Sequence, residues 1–207
     1  LEATALQLHQ CSKLLSPDEE MRIRRLHFER DRRRYTVARG LLRVLLANHL
    51  AMSPAAIAFE SGPHGKPILA NPPAATHFNL SHSANLAICA ISSTCVPGVD
   101  IEYLVRDVDH DGLAGRFFST REYAELQRIP VAARNRAFLT CWTRKEAVAK
   151  ATGQGLHLPL RQIEVNVAPD EPPRLLGLPT ATTAGWILHA VDAGGAYAAT
   201  IALHQEN

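Results

Sequence analysis

Two acids stand one residue apart in Gly98-Val99-Asp100-Ile101-Glu102. The apolar, β-branched neighbours make this stretch a strand, on which alternate side chains share a face, so Asp100 and Glu102 project together and Ile101 projects away. Two carboxylates in one small space repel unless a cation offsets them, and short oxygen ligands suit Mg2+. A second pattern lies in Trp142-Thr143-Arg144-Lys145-Glu146-Ala147-Val148-Ala149-Lys150. Four residues advance an α-helix by about 400°, so Trp142, Glu146 and Lys150 form one stripe carrying an aromatic ring, an acid and a base. Each pattern alone has a plainer explanation: a solvated strand end, and an exposed ion pair beside a core tryptophan.

Two further motifs can meet an anion. Phe78-Asn79-Leu80-Ser81-His82-Ser83 sets a hydroxyl and an imidazole at a strand-to-turn edge. Gly62-Pro63-His64-Gly65-Lys66-Pro67 is a loop whose glycines allow close backbone approach and whose lysine offers a point charge to phosphate. It is not a Walker loop, because G-x-x-x-x-G-K-[ST] is missing. The chain also lacks the G-x-S-x-G turn of a serine hydrolase and any H-x-x-x-H or H-E-x-x-H pair for zinc. Cys11, Cys89, Cys95 and Cys141 have neither C-x-x-C nor disulfide-framework spacing, and read mostly as small buried hydrophobes in a reducing compartment.

The elements that must position these residues follow from capping signals and periodicity. After a short extended start, Ser16-Pro17-Asp18-Glu19 joins an N-cap hydroxyl, a first-turn proline and a capping-box carboxylate. Apolar residues then recur at helical spacing to about residue 50, as one broken or two consecutive helices. From residue 57 to 104 short apolar runs separated by Gly, Pro and Asn predict strands. Ser119-Thr120-Arg121-Glu122 is a second capping box, and residues 134–152 read as a long helix stopped by Gly153 at C′. The rest is strand again.

The 207 residues, 46% apolar and 20% charged, make a globular chain able to bury a sizeable core. Helix, strands, helices, strands predicts an α+β protein of two similar halves, residues 1–104 and 105–207, meeting near residues 103–110. A net charge of +2 argues against bulk nucleic-acid binding. Nine arginines nevertheless crowd residues 22–43, against Glu29 and Asp31 alone. They make a local positive field, or a solvated face whose stems cover apolar surface. No apolar run is long enough for a membrane span and no signal-peptide layout is present, so the expected location is cytoplasmic.

In order, G-K-P, F-N-L-S-H-S, G-V-D-I-E, F-F-S-x-x-E and W-x-x-K-E-A-x-x-K followed by G-x-G-L resemble the Sfp-type 4'-phosphopantetheinyl transferases, in the W/KEA rather than the F/KES branch, over residues 16–160. That resemblance implies transfer of the phosphopantetheine arm of coenzyme A to a serine of an apo carrier protein, releasing adenosine 3',5'-bisphosphate. It implies a pseudo-dimer of two α+β halves with the active site in the cleft between them. Asp100, Glu102 and Glu146 would be Mg2+ ligands, and Lys150 would stand beside the reacting phosphates. The serine proton would pass to Glu146 or to a metal-bound water beside it. Lys66 with Pro67, and Ser81 with His82, would contact the nucleotide and its phosphates. Arg34, with Arg22 as a further candidate, would reach the 3'-phosphate. Glu19 departs from relatives that carry a lysine there. The expected partner is an acidic acyl or peptidyl carrier protein, met by a monomer, with no nucleic acid or membrane involved. A nucleic-acid module built on the arginines would leave the acids without purpose. An Mg2+-dependent phosphohydrolase or nuclease could use the same carboxylates with water.

Overall fold

The computed structural model describes residues 1–62, 66–105, 108–153, 158–179 and 182–205. The middle of the 62–67 loop and the Gln154-Gly155-Leu156 part of the G-x-G-L run lie outside the described residues. The chain begins with helix α1 (Ala5–Ser12), not with the expected extended segment. Thr4 and Gln7 form a capping box there, a T-x-x-Q signal that satisfies the first free amides. Helix α2 (Pro17–Arg24) is capped by Ser16 and Glu19, and α3 (Glu29–Leu50) follows a break at Phe28, whose backbone is extended.

A short hairpin, β1 (Phe59–Ser61) with β2 (Pro67–Leu69), precedes a longer one, β3 (His77–Ser83) with β4 (Leu86–Ser92). Strand β5 (Gly98–Tyr103) pairs with the last strand instead. Then come α4 (His110–Phe117), which the sequence reading passed over, α5 (Thr120–Arg128) and α6 (Val131–Ala151). Asp109 caps α4 through the amide of Gly112. The short strands β6 (Glu164–Val165) and β7 (Leu175–Gly177) form one pair. Strands β8 (Trp186–Ala190) and β9 (Tyr197–His204) complete an antiparallel sheet of order β5-β9-β8. Gly153 does terminate α6, with φ of 70° and its amide on the carbonyl of Lys150.

The architecture is α+β, and the described residues form two apolar cores. Leu42, Leu46 and Ala47 of α3 pack with Ile57, Leu69 and Phe78. Phe118, Leu126, Phe138, Leu139 and Ile163 seal the other around α6. Strand β5 lies between these regions: its backbone joins β9, and its side chains meet β3. Gly98 permits β5 to cross α6, because a Cβ there would overlap the carbonyl oxygen of Ala147. That crossing brings the acids of β5 to the acid and base of α6.

Candidate active site

Strand alternation places Asp100 and Glu102 on one face of β5, while Ile101, 1% exposed, enters the apolar interior. Each acid is held from β3. Ser81 Oγ donates to Asp100 Oδ1 at 2.8 Å, and Ser83 Oγ donates to Glu102 Oε2 at 2.8 Å. Lys150 Nζ reaches the same Oδ1 at 2.6 Å, and also donates to the Val99 carbonyl and Ser81 Oγ. Oδ2 of Asp100 is buried with no hydrogen-bond partner.

The stripe on α6 is the partly open face of an otherwise buried half-helix. From Cys141 to Lys150 only Trp142, Glu146 and Lys150 escape full burial. Trp142 packs edge-on to Phe117, with centroids 5.4 Å apart, and against Phe138. Burial, and after it the Asp100 carboxylate, raises the pKa of Glu146 above the ordinary carboxylate range. Lys150 opposes that rise and Glu102 adds to it, so three neighbouring charges act on Glu146. Glu146 and Lys150 also line a chamber of about 430 Å³ walled by Phe117, Leu158 and Leu160, with Arg116 and Arg161 on its edge.

The residues expected at the nucleotide separate by face. Arg22, Arg34, Lys66, Pro67 and His82 line one cleft of about 500 Å³ between α3 and β3. Ser81 points the other way along β3, towards the acids. Arg34 donates to Asn85 Oδ1 at 2.6 Å, and the Arg22 guanidinium lies 5.6 Å from the Tyr35 ring centroid. Lys66 Nζ donates to the Lys150 carbonyl at 3.2 Å, joining the cleft to the end of α6. Burial, then the positive charge of Lys150, lowers the Lys66 pKa.

Beyond the capping box expected of it, Glu19 makes ion pairs that sequence reasoning missed. It is 6% exposed, closes the α2 capping box and pairs with Arg39 and Arg43 at 3.0 and 2.9 Å. Two of the nine clustered arginines are thus internal struts, whereas Arg24 and Arg30 stand in solvent. Ser83 and Asn79 were missed as well, although polar residues at 79, 81 and 83 already mark one face of a strand. Of the four free cysteines, Cys11 and Cys141 are buried as expected, while Cys89 and Cys95 are only half-buried.

Among the described residues, no three acidic, imidazole or thiol side chains stand arranged to hold a metal ion. Lys150 and Ser81 occupy Oδ1 of Asp100, and Ser83 occupies one oxygen of Glu102. The donor chemistry still fits a hard divalent cation. A buried carboxylate oxygen lacks a partner, and burial, with the neighbouring acids after it, raises the pKa of Glu146, a cost that a cation would relieve.

A cleft lined by Arg22, Arg34 and Lys66, with Lys66 bonded to the carbonyl of Lys150 and Lys150 bonded to Asp100, is suited to phosphoryl chemistry, in which charge must be neutralised and groups positioned. The 4'-phosphopantetheinyl transferase superfamily model matches residues 97–202, and the 4'-phosphopantetheinyl transferase N-terminal model matches residues 2–94. The 4'-phosphopantetheinyl transferase HetI of a Nostoc species is 41% identical over 181 residues, covering 86% of this chain and 76% of that protein. The 4'-phosphopantetheinyl transferase Sfp of Bacillus subtilis is 32% identical, covering 75% of this chain and 68% of the relative. The chain belongs to the 4'-phosphopantetheinyl transferase superfamily and is an enzyme of that class. A solved holo-(acyl-carrier-protein) synthase of Bacillus anthracis, in complex with CoA (3',5'-ADP), is 23% identical with a TM-score of 0.42. That alignment covers 53% of this chain and 96% of the synthase. Among the described residues no helix is long and apolar enough to cross a membrane.

Proposed function

We propose that this enzyme transfers the 4'-phosphopantetheine arm of coenzyme A to a serine hydroxyl of an apo carrier protein, releasing adenosine 3',5'-bisphosphate, in a Mg2+-dependent reaction. The observation that carries the reading is the meeting of the Glu146 and Lys150 stripe with Asp100 beside the cation-lined cleft. In this reading Arg34, Lys66, Pro67 and His82, joined by Arg22, bind coenzyme A. Asp100, Glu102 and Glu146 would hold Mg2+, which when bound neutralises charge on the diphosphate. Ser81 stands at that end through the carboxylate it holds.

Glu146, or a water that the metal would hold beside it, takes the proton of the attacking serine. Lys150, one turn on, brings its ammonium group to the leaving phosphate oxygen and stabilises the charge that develops there. The aromatic wall of Trp142 and Phe117 keeps the Glu146 side of α6 packed. The enzyme works as a cytoplasmic monomer on an acidic acyl or peptidyl carrier, without nucleic acid or membrane. Residues 1–104 supply most of the coenzyme A contacts and residues 105–207 the base and the lysine, with the acids of β5 between them.

The test incubates the protein with coenzyme A, Mg2+ and a panel of apo carriers, and weighs each carrier. A gain of one phosphopantetheine mass is expected with Mg2+ and is lost with chelator. Release of the arm with no gain on any carrier would mean hydrolysis and overturn the transfer reading.

A further inference from the structure

Strand β3 pairs through its backbone with β4, and β5 with β9, so no backbone ladder joins β3 to β5. Side chains join them instead. Asn79, Ser81 and Ser83 occupy alternate positions on one face of β3 and are each 8% exposed, while His82 on the other face is exposed. Asn79 Oδ1 accepts the Val99 amide at 2.8 Å. Ser81 donates to Asp100. Ser83 donates to Glu102 and accepts the Tyr103 amide at 3.0 Å. Three short side chains thus take up the polar edge of β5 and both of its acids.

We propose that Ser81 and Ser83 are positioning residues that act through Asp100 and Glu102, setting the orientation in which these carboxylates receive a divalent cation. This rests on the reading of the site given above. A serine hydroxyl has one hydrogen. In Ser81 that hydrogen is committed to Oδ1 of Asp100, where Lys150 also donates, so the carboxylate is locked with Oδ2 as its unpartnered, buried oxygen. The hydroxyl therefore cannot donate to a phosphate while it holds the acid. Ser83 fixes Glu102 from the next position on the same face, and its second bond, from the Tyr103 amide, fixes the hydroxyl itself. Removing such an outer hydrogen bond typically weakens metal affinity about 10- to 100-fold, because the ligand must then be ordered at the moment of binding.

The test titrates Mn2+ into the protein without coenzyme A, reading free Mn2+ by electron paramagnetic resonance. It compares wild type with Ser81→Ala, Ser83→Ala, Ser81→Thr and Ser83→Thr. Each alanine variant is expected to bind Mn2+ about 10-fold more weakly. The threonine variants, which keep the hydroxyl, should recover most of that loss, and KM for coenzyme A should change little while kcat falls. If an alanine variant melts early, the volume-matched Ser→Cys variant, a weak donor, takes its place with the same expectation. Unchanged Mn2+ affinity in the alanine variants overturns the proposal. So does a rise in KM for coenzyme A alone, which would put Ser81 on the nucleotide, and so does a wild type that does not bind Mn2+. Weighing a carrier after incubation with wild type tests the underlying activity separately; its failure alongside the expected Mn2+ losses would remove the function and leave the ladder standing.

Discussion

Helix α6 carries two lysines, five residues apart, and each meets a carboxylate at nearly the same distance. Lys145 Nζ lies 2.5 Å from Glu122 Oε2, and Lys150 Nζ lies 2.6 Å from Asp100 Oδ1. The surroundings differ. The side chains of Lys145 and Glu122 are 0% and 1% exposed, against 27% and 8% for Lys150 and Asp100. Lys145 also donates to the Ile163 carbonyl and sits over the Phe118 ring. Glu122 takes the amides of Ser119 and Val165. Every group in that pair is satisfied inside the fold, and it ties α5, α6 and β6 together. The Asp100 pair keeps an unpartnered oxygen. Five residues turn a helix by about 140° beyond a full revolution, so the two lysines of K-E-A-x-x-K face different environments. The same chemistry is a strut where it is sealed and a working site where it is left incomplete.

The largest expected effect separates the two by activity. Glu146→Gln or Lys150→Ala should lower kcat by about 10²- to 10⁴-fold while the melting temperature barely moves. Wild-type rates in either variant would remove these residues from the chemistry. Lys145→Met should do the reverse, costing about 3–5 kcal/mol in urea denaturation by stranding the Glu122 charge. Adding Glu122→Gln should recover a good part of that loss, since a buried pair replaced as a whole is far less costly than one broken. A double variant no more stable than the single would show that the pair is not self-contained.

Gly98→Ala tests the crossing that brings the acids to α6. The added methyl should destabilise by about 1–3 kcal/mol and lower kcat together, because β5 must move away from α6. Salt acts on the open region alone. Carrier association should weaken as ionic strength rises, and insensitivity would take electrostatic steering out of the account. The smallest effect reports on the sealed region. Burial first, and then Glu122, hold the Cys141 thiol well above its ordinary pKa. A raised pKa means less thiolate at neutral pH, so Cys141 should resist iodoacetamide at pH 8. Lys145→Met should speed that reaction by letting the region open. Burial puts Cys89 at about 11, and its alkylation should climb as pH approaches that value.

Much of this was legible locally. The two capping boxes at Ser16 and Ser119, the Gly153 stop, the shared face of Asp100 and Glu102, and the Trp142, Glu146 and Lys150 stripe all follow from spacing within a single element. Helix α1 is equally local, in its Thr4 and Gln7, but its eight residues are too few for a periodicity to stand out. Other features had no local trace. Nothing in residues 119–122 announces a bond to Lys145, and Glu19 reads as a missing lysine until Arg39 and Arg43 are seen beside it. Ser81 and His82 are adjacent in the motif yet serve opposite faces.

By itself the sequence determined which residues share a helix stripe or a strand face, because those relations depend on turn and pleat, which repeat every few residues. It also determined the α+β class and, through its ordered motifs, the enzyme family. Only the tertiary structure decided which lysine is sealed and which is open, and which serine faces an acid. Those outcomes depend on contacts between elements tens of residues apart, where burial determines whether a charge is completed by the fold or left for a ligand.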